Sequence, residues 1–299
     1  MALALVTQDT QAALAEELAR PETPAPGLYP GVDALVYHGW GGASQSRLKI
    51  LRDHTPAHVK WSIEHPDEPT DAMRVGAAIH TCVLEPDRWG GLYVRGIEGD
   101  GRTKAVKEAR EALAAEHPKA HILKPSDFDM CLAIRDAVNA HPHTAHLFEG
   151  MREASAVWRD PATGVLCRGR FDDVARALGC ITDLKSCADA SPFRFPAVIY
   201  NLGYHIQGAM YLRGAKANGI DADTFAIVAV EKEPPYAVAV YQLNGAALYD
   251  GERELEPLLE RWAACEASGE WPGYPTDVVQ LDLPQWAPQQ ITARVGGAA

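Results

Sequence analysis

The chain has 299 residues, of which 47% are hydrophobic, enough to bury a sizeable core as one large domain or two small ones. A formal net charge of -12 excludes a protein that coats nucleic acid over its whole surface, but not one that gathers lysine and arginine along a single groove. Six cysteines are scattered without a CxxC pair, so neither a zinc site nor a disulfide framework is indicated, and they read as the reduced thiols of a cytoplasmic protein.

Residues 1 to about 20 read as an amphipathic helix and the Pro/Gly-rich PETPAPGLYPG as a linker, so residues 1–31 are expected to form an arm. The start of the chain has neither a basic leader nor a long apolar stretch, and no export or membrane segment is expected. From Ser44, SQSRLKILRDHTPAHVKW predicts a capped helix broken near Pro56, and TDAMRVGAAIHTCVLEPDRW predicts another opening near Thr70. Residues 102–149 alternate charge and alanine, which predicts two helices with solvated faces. Their Arg102, Lys104 and Lys107 face either DNA or water. At about Ala154 the pattern changes to β-branched alternation, and SAVWRD, GVLCRGRFDDVAR and CITDLKS predict successive strands. One helix is expected from about Pro196 to Asn218, then two strands joined at Pro234 and Pro235, then a helix from about Gly245 to Ser268. This order predicts an α/β fold with a central mixed sheet flanked by helices, a main domain over 32–275 and a C-terminal tail over 276–299.

The segment RFDDVARALGCITDLK carries the most chemical information. A turn centred between Ala177 and Leu178 sets Asp172 opposite Asp183, with side chains on one face roughly 5 Å apart at Cβ. Two carboxylates so placed repel unless a cation lies between them. Alternation puts Lys185 on the same face and sends Thr182, Leu184 and Asp173 to the other. Hard oxygen ligands without a Cys or His pair suit magnesium, with manganese able to substitute, and such an ion beside a lysine suits phosphodiester hydrolysis. The plainer alternative is a surface hairpin with an ion pair at Lys185.

GRFDDV followed by TDLKS resembles the paired GRxD and DxK elements of PD-(D/E)xK exonucleases, which share a restriction-endonuclease-like core. Upstream, GAAIH ending at His80 resembles the GxxxH helix of that superfamily, and GYHIQGAMY resembles its QxxxY helix, with Gln207 and Tyr211 one turn apart. The flanking text, including YHGWGGASQSRLKIL, VLEPDRW, DASPFRF and VEKEPPYAVAVY, resembles the exonuclease VIII branch, a relative of the lambda-type exonucleases.

The resemblance implies that Asp172 and Asp183 ligate a metal, that the main-chain carbonyl of Leu184 completes the shell, and that Lys185 serves the attacking water. His80 would be a ligand or stand just behind one, Gln207 would position Lys185 or the scissile phosphate, and Tyr211 would support it. Taken alone, His80, Gln207 and Tyr211 are equally ordinary core residues. The implied activity is a magnesium-dependent exonuclease acting 5′ to 3′ on double-stranded DNA ends, forming a homo-oligomeric ring and passing a single strand to an annealing or recombinase protein. An endonuclease with the same site and a non-catalytic DNA-binding protein are the alternatives.

Overall fold

The computed structural model describes residues 21–296, so the helix expected over residues 1 to 20 lies outside the described residues. Within the expected linker, β1 (Gly27–Tyr29) pairs antiparallel with a strand of the main sheet. Side-chain caps then start the helices where the sequence offers them. Asp33 accepts the Leu35 N–H at the start of α1 (Ala34–Gly39), and Ser44 accepts the Arg47 N–H at the start of α2 (Gln45–Asp53). Pro56 stands in the first turn of α3 (Pro56–Glu64), where a missing N–H costs no helical bond. Thr70 caps α4 (Asp71–Leu84), the helix that carries His80.

A small excursion follows. The helices α5 (Pro86–Leu92), α6 (Lys104–Glu116), α7 (Pro125–Ala140) and α8 (Thr144–Leu147) surround a two-stranded parallel sheet of β2 (Tyr93–Arg95) and β3 (His121–Leu123). The two helices expected between 102 and 149 are α6 and α7, with α8 as a short addition.

The main sheet is built from an antiparallel meander of β4 (Met151–Arg159), β5 (Leu166–Ala175) and β6 (Cys180–Cys187). The single helix expected from 196 to 218 is two, α9 (Phe195–Leu202) and α10 (Tyr204–Ala217). Gly203 breaks it. Its φ of 72° is left-handed, and its N–H closes α9 on the carbonyls of Ile199 and Tyr200, a conformation that glycine adopts without a Cβ penalty. After that crossover β7 (Thr224–Glu231) runs parallel to β6, and β8 (Val238–Gln242) returns antiparallel. The six-stranded mixed sheet has the order β1-β4-β5-β6-β7-β8. Two further helices, α11 (Gly245–Ser268) and α12 (Ala287–Gly296), end the described chain.

Both faces of the sheet are covered. On one side Phe171, Ile227 and Phe225 pack with Leu48 and Leu51 of α2, Met210 of α10 and Trp262 of α11. On the other, Leu184, Val228 and Val230 pack with Ile79 and Leu84 of α4 and Ile134 of α7. Leu184 therefore points away from Lys185, in keeping with strand alternation, and α4 packs on the Leu184 face, from which His80 reaches Asp172.

Candidate active site

The β5–β6 hairpin has the register expected for it: Asp173 pairs with Thr182, Val174 with Ile181 and Ala175 with Cys180. A 3-10 turn over Arg176–Leu178 and the left-handed Gly179 close it. One step further along, Asp172 comes opposite Asp183, and a side chain takes over from the main-chain ladder. Asp172 Oδ2 accepts the Leu184 N–H at 2.7 Å. On the other flank, β4 and β5 pair through Arg152 with Asp173 and through Ala154 with Phe171, which leaves Glu153 opposite Asp172. Glu153 has a φ of 51°, so β4 is locally distorted where it delivers this carboxylate. Three adjacent strands thus set Glu153, Asp172 and Asp183 in a row.

From α4, the His80 Nδ1 lies 3.5 Å from Asp172 Oδ2. One ligand atom each from His80, Glu153 and Asp172 falls within 4.8 Å of the others. Asp183 is held differently. Its Oδ1 accepts from Gln207 Nε2 at 2.6 Å, and its Oδ2 lies 2.5 Å from the Lys185 ammonium. The Lys185 ammonium also sits 4.8 Å over the Tyr204 ring. Tyr211, one turn beyond Gln207, packs edge-on against Phe171 and stands over Gly169, where a Cβ would meet its ring at 3.0 Å. The structure therefore brings His80, Asp172, Asp183, Lys185, Gln207 and Tyr211 together, and Leu184 joins them through its main-chain N–H.

Burial and charge pairing compete across the cluster, and burial wins at Asp183 and Glu153. It pushes Asp183 up to about 6, with Lys185 pulling down and Asp172 pushing further up. Burial also raises Glu153, and the Asp172 charge adds to it. Asp172 goes the other way: burial opposes its charge, but His80, Lys185 and the Leu184 N–H hold its carboxyl below the ordinary value. Burial likewise opposes the His80 charge, yet Asp172 and Glu153 overcome it and raise the imidazole to about 9. Lys185 stays charged because Asp183 and Asp172 outweigh its desolvation.

Two arginines on β5 complete the surroundings. Arg170 donates to Glu153 and to the Val32 carbonyl, while the Arg168 guanidinium lies 4.5 Å over the Tyr37 ring and donates to the Tyr37 carbonyl at 2.8 Å. The Arg168 Nε is buried with no protein partner. With Asp172, these arginines, Ser44 and the α2 residues Gln45 and Ser46 line a cavity of about 190 Å³. Arg168 and Arg170 could have been found from period two, since they alternate in phase with Asp172. Glu153 could not, because only the β4–β5 register brings it across from Asp172.

Neighbouring charged residues lie elsewhere, as their spacing along strand and helix requires. Asp173 turns to the opposite face and accepts the Gly150 N–H at 3.1 Å. Glu85, five residues past His80, pairs with Arg88. Arg102, Lys104 and Lys107 are exposed, and Lys104 pairs with Glu108 along α6.

Two carboxylates and an imidazole within one ligand shell, in a hollow whose like charges repel, fit a divalent cation of the magnesium or manganese class. His80, Glu153 and Asp172 would hold it, with Asp183 the adjoining carboxylate. The carboxylates that favour a proton on His80 favour an ion there as well, so the two compete.

A mixed sheet with an Asp on one strand, a DxK on the next and a Gln–Tyr helix beside them defines the PD-(D/E)xK fold. The sequence matches the PDDEXK-like domain of unknown function DUF3799 over residues 44–281, and the chain belongs to that family. Among solved structures it is similar to a candidate exonuclease from Eubacterium rectale, with 14% identity, a TM-score of 0.56, and coverage of 82% of this chain and 91% of the other. No curated protein matches the chain. Among the described residues no helix is long and apolar enough to cross a membrane.

Proposed function

We propose that the chain is a magnesium-dependent exonuclease that hydrolyses phosphodiester bonds from double-stranded DNA ends. The observation that carries this reading is the juxtaposition of a charged, half-buried lysine with a cluster of carboxylates and an imidazole that suits a hard cation. A bound divalent ion would supply a nucleophilic water at neutral pH and neutralise charge on the phosphoryl oxygens.

The protein's own groups do the rest. Asp183 and Gln207 fix the Lys185 ammonium, whose positive charge orients the attacking water or the non-bridging oxygens as negative charge builds on them. Tyr211 and Phe171 hold Gln207 and β5 at a constant separation. Arg168 and Arg170 give the adjoining cavity a cationic floor of a size suited to one phosphate group. The 5′-to-3′ polarity, a ring of subunits around the duplex, the Leu184 carbonyl as a further ligand and an annealing or recombinase partner for the remaining strand extend the reading from the family resemblance.

The test is nucleotide release from linear and from closed circular duplex DNA, in magnesium or EDTA, comparing the wild type with Asp183→Ala. Magnesium-dependent release from linear DNA alone, lost in the variant, is the expected outcome. Cleavage of circles would identify an endonuclease, and intact DNA throughout would identify a binding protein.

A further inference from the structure

Beside the cleft lies a row of aromatic rings that the hydrolysis chemistry does not use. His58, Trp61 and His65 share one stripe of α3 and its C-terminal cap, and His54, at the end of α2, extends the stripe one turn back. The rings pack in two groups along the stripe. His54 stacks on His58 with centroids 5.0 Å apart, Trp61 stacks on His65 at 3.7 Å, and Tyr274 meets His58 edge-on at 5.8 Å. All five are exposed, Trp61 by 64% and Tyr274 by 70%. Thr55 pins the His58 ring through a 2.8 Å bond to its Nδ1. An exposed tryptophan already set flat against a neighbouring ring is held ready for another planar group.

The row is continuous with the active site. Gln45 and Ser46 line both the cavity that contains Asp172 and a second cavity of about 420 Å³, which runs on past Lys49 to His54. Tyr204, whose ring lies beneath the Lys185 ammonium, forms the opposite wall of that second cavity. The local charge favours an anionic strand: residues 45–65 carry four lysines or arginines and two carboxylates, in a chain whose net charge is -12.

We propose that His54, His58, Trp61, His65 and Tyr274 form a stacking track for the bases of a single DNA strand that leads out of the cleft. The proposal rests on the nuclease reading and adds to it the path of the substrate. Paired bases keep their faces inside the duplex, whereas unpaired ones present them to rings spaced in this way. Stacking of this kind is worth on the order of tenfold in affinity per base and tolerates any sequence.

The experiment uses the full chain in EDTA, so that nothing is cut, and follows anisotropy of labelled blunt duplexes and of duplexes carrying a short single-stranded DNA tail. The tail is expected to tighten binding by on the order of tenfold in the wild type. A His58→Ala, Trp61→Ala double variant should lose most of that gain while binding the blunt duplex as the wild type does. Both positions are exposed, and circular dichroism will confirm that the variant folds. In parallel, tails bearing 5-iodouracil should crosslink to peptides containing Trp61 or Tyr274. A tail effect that survives the double variant, or crosslinks that map elsewhere, would overturn the track, as would preference for an RNA tail. The nuclease reading is tested separately, by magnesium-dependent release from blunt DNA, so its failure and that of the track give different results.

Discussion

Asp172 accepts the Leu184 N–H and lies 3.5 Å from His80, whereas its neighbour Asp173 accepts the Gly150 N–H on the far face of β5. The two adjacent carboxylates should therefore separate under mutation. Asp172→Asn and Lys185→Ala are expected to lower kcat on linear DNA by on the order of a thousandfold, because each removes a charge set where charge develops. Asp173→Asn should stay within a few-fold of the wild type. Its effect belongs to stability. Burial pushes Asp173 up to about 7 from an ordinary value of 3.8, with Arg152 and the Gly150 N–H pulling the other way. An acid raised in this sense holds its proton more tightly in the folded chain than in the unfolded one, so the native state loses stability as pH climbs from the ordinary carboxylate range through 7. Urea unfolding in EDTA at pH 5 and pH 8 should show a loss of roughly 2 kcal/mol from this group in the wild type, and little of it in Asp173→Asn. An unchanged pH dependence in the variant would show that the Asp173 carboxyl titrates normally.

At the scale of elements, the site depends on how closely α11 lies against α10, the helix that carries Gln207 and Tyr211. Gly251 makes that approach possible: a Cβ there would come 2.2 Å from the His205 carbonyl oxygen. Gly251→Ala must push α10 and α11 apart, which costs about 2 kcal/mol on the scale of overpacked interiors and shifts Gln207 from Asp183. A lower Tm accompanied by reduced kcat is expected, and wild-type values for both would show that the contact relaxes freely. No sequence pattern announces this contact, since a glycine in an amphipathic helix is explained only by what lies across from it. The hairpin was legible for the opposite reason. Its turn centre and period-two alternation are local, and together they put Asp172, Asp183 and Lys185 on one face before any tertiary contact is known. The break at Gly203 lay between these cases, with a glycine visible in the sequence and apolar periodicity running straight through it.

At the scale of the whole molecule, the candidate cation site joins a helix of one layer to two strands of the sheet. His80 comes from α4, in the helical region that packs on one face of the sheet, Glu153 from β4 and Asp172 from β5. Binding an ion only in the folded chain stabilises it in proportion to the logarithm of ion concentration over Kd, by about 2.7 kcal/mol at a hundredfold excess. Magnesium or manganese should therefore raise Tm in the wild type and slow hydrogen exchange in α4 and β4 together, because one ion ties both down. Glu153→Gln tests the member of the cluster that sequence reasoning did not supply. It removes a charge that burial and Asp172 already strain, so in EDTA the variant should unfold no more easily than the wild type apart from its lost Arg170 pair. With metal present, its thermal shift should shrink well below that of the wild type. A full-sized shift in Glu153→Gln would move the ion off β4 and toward Asp172 and Asp183, leaving Glu153 as the partner that fixes Arg170.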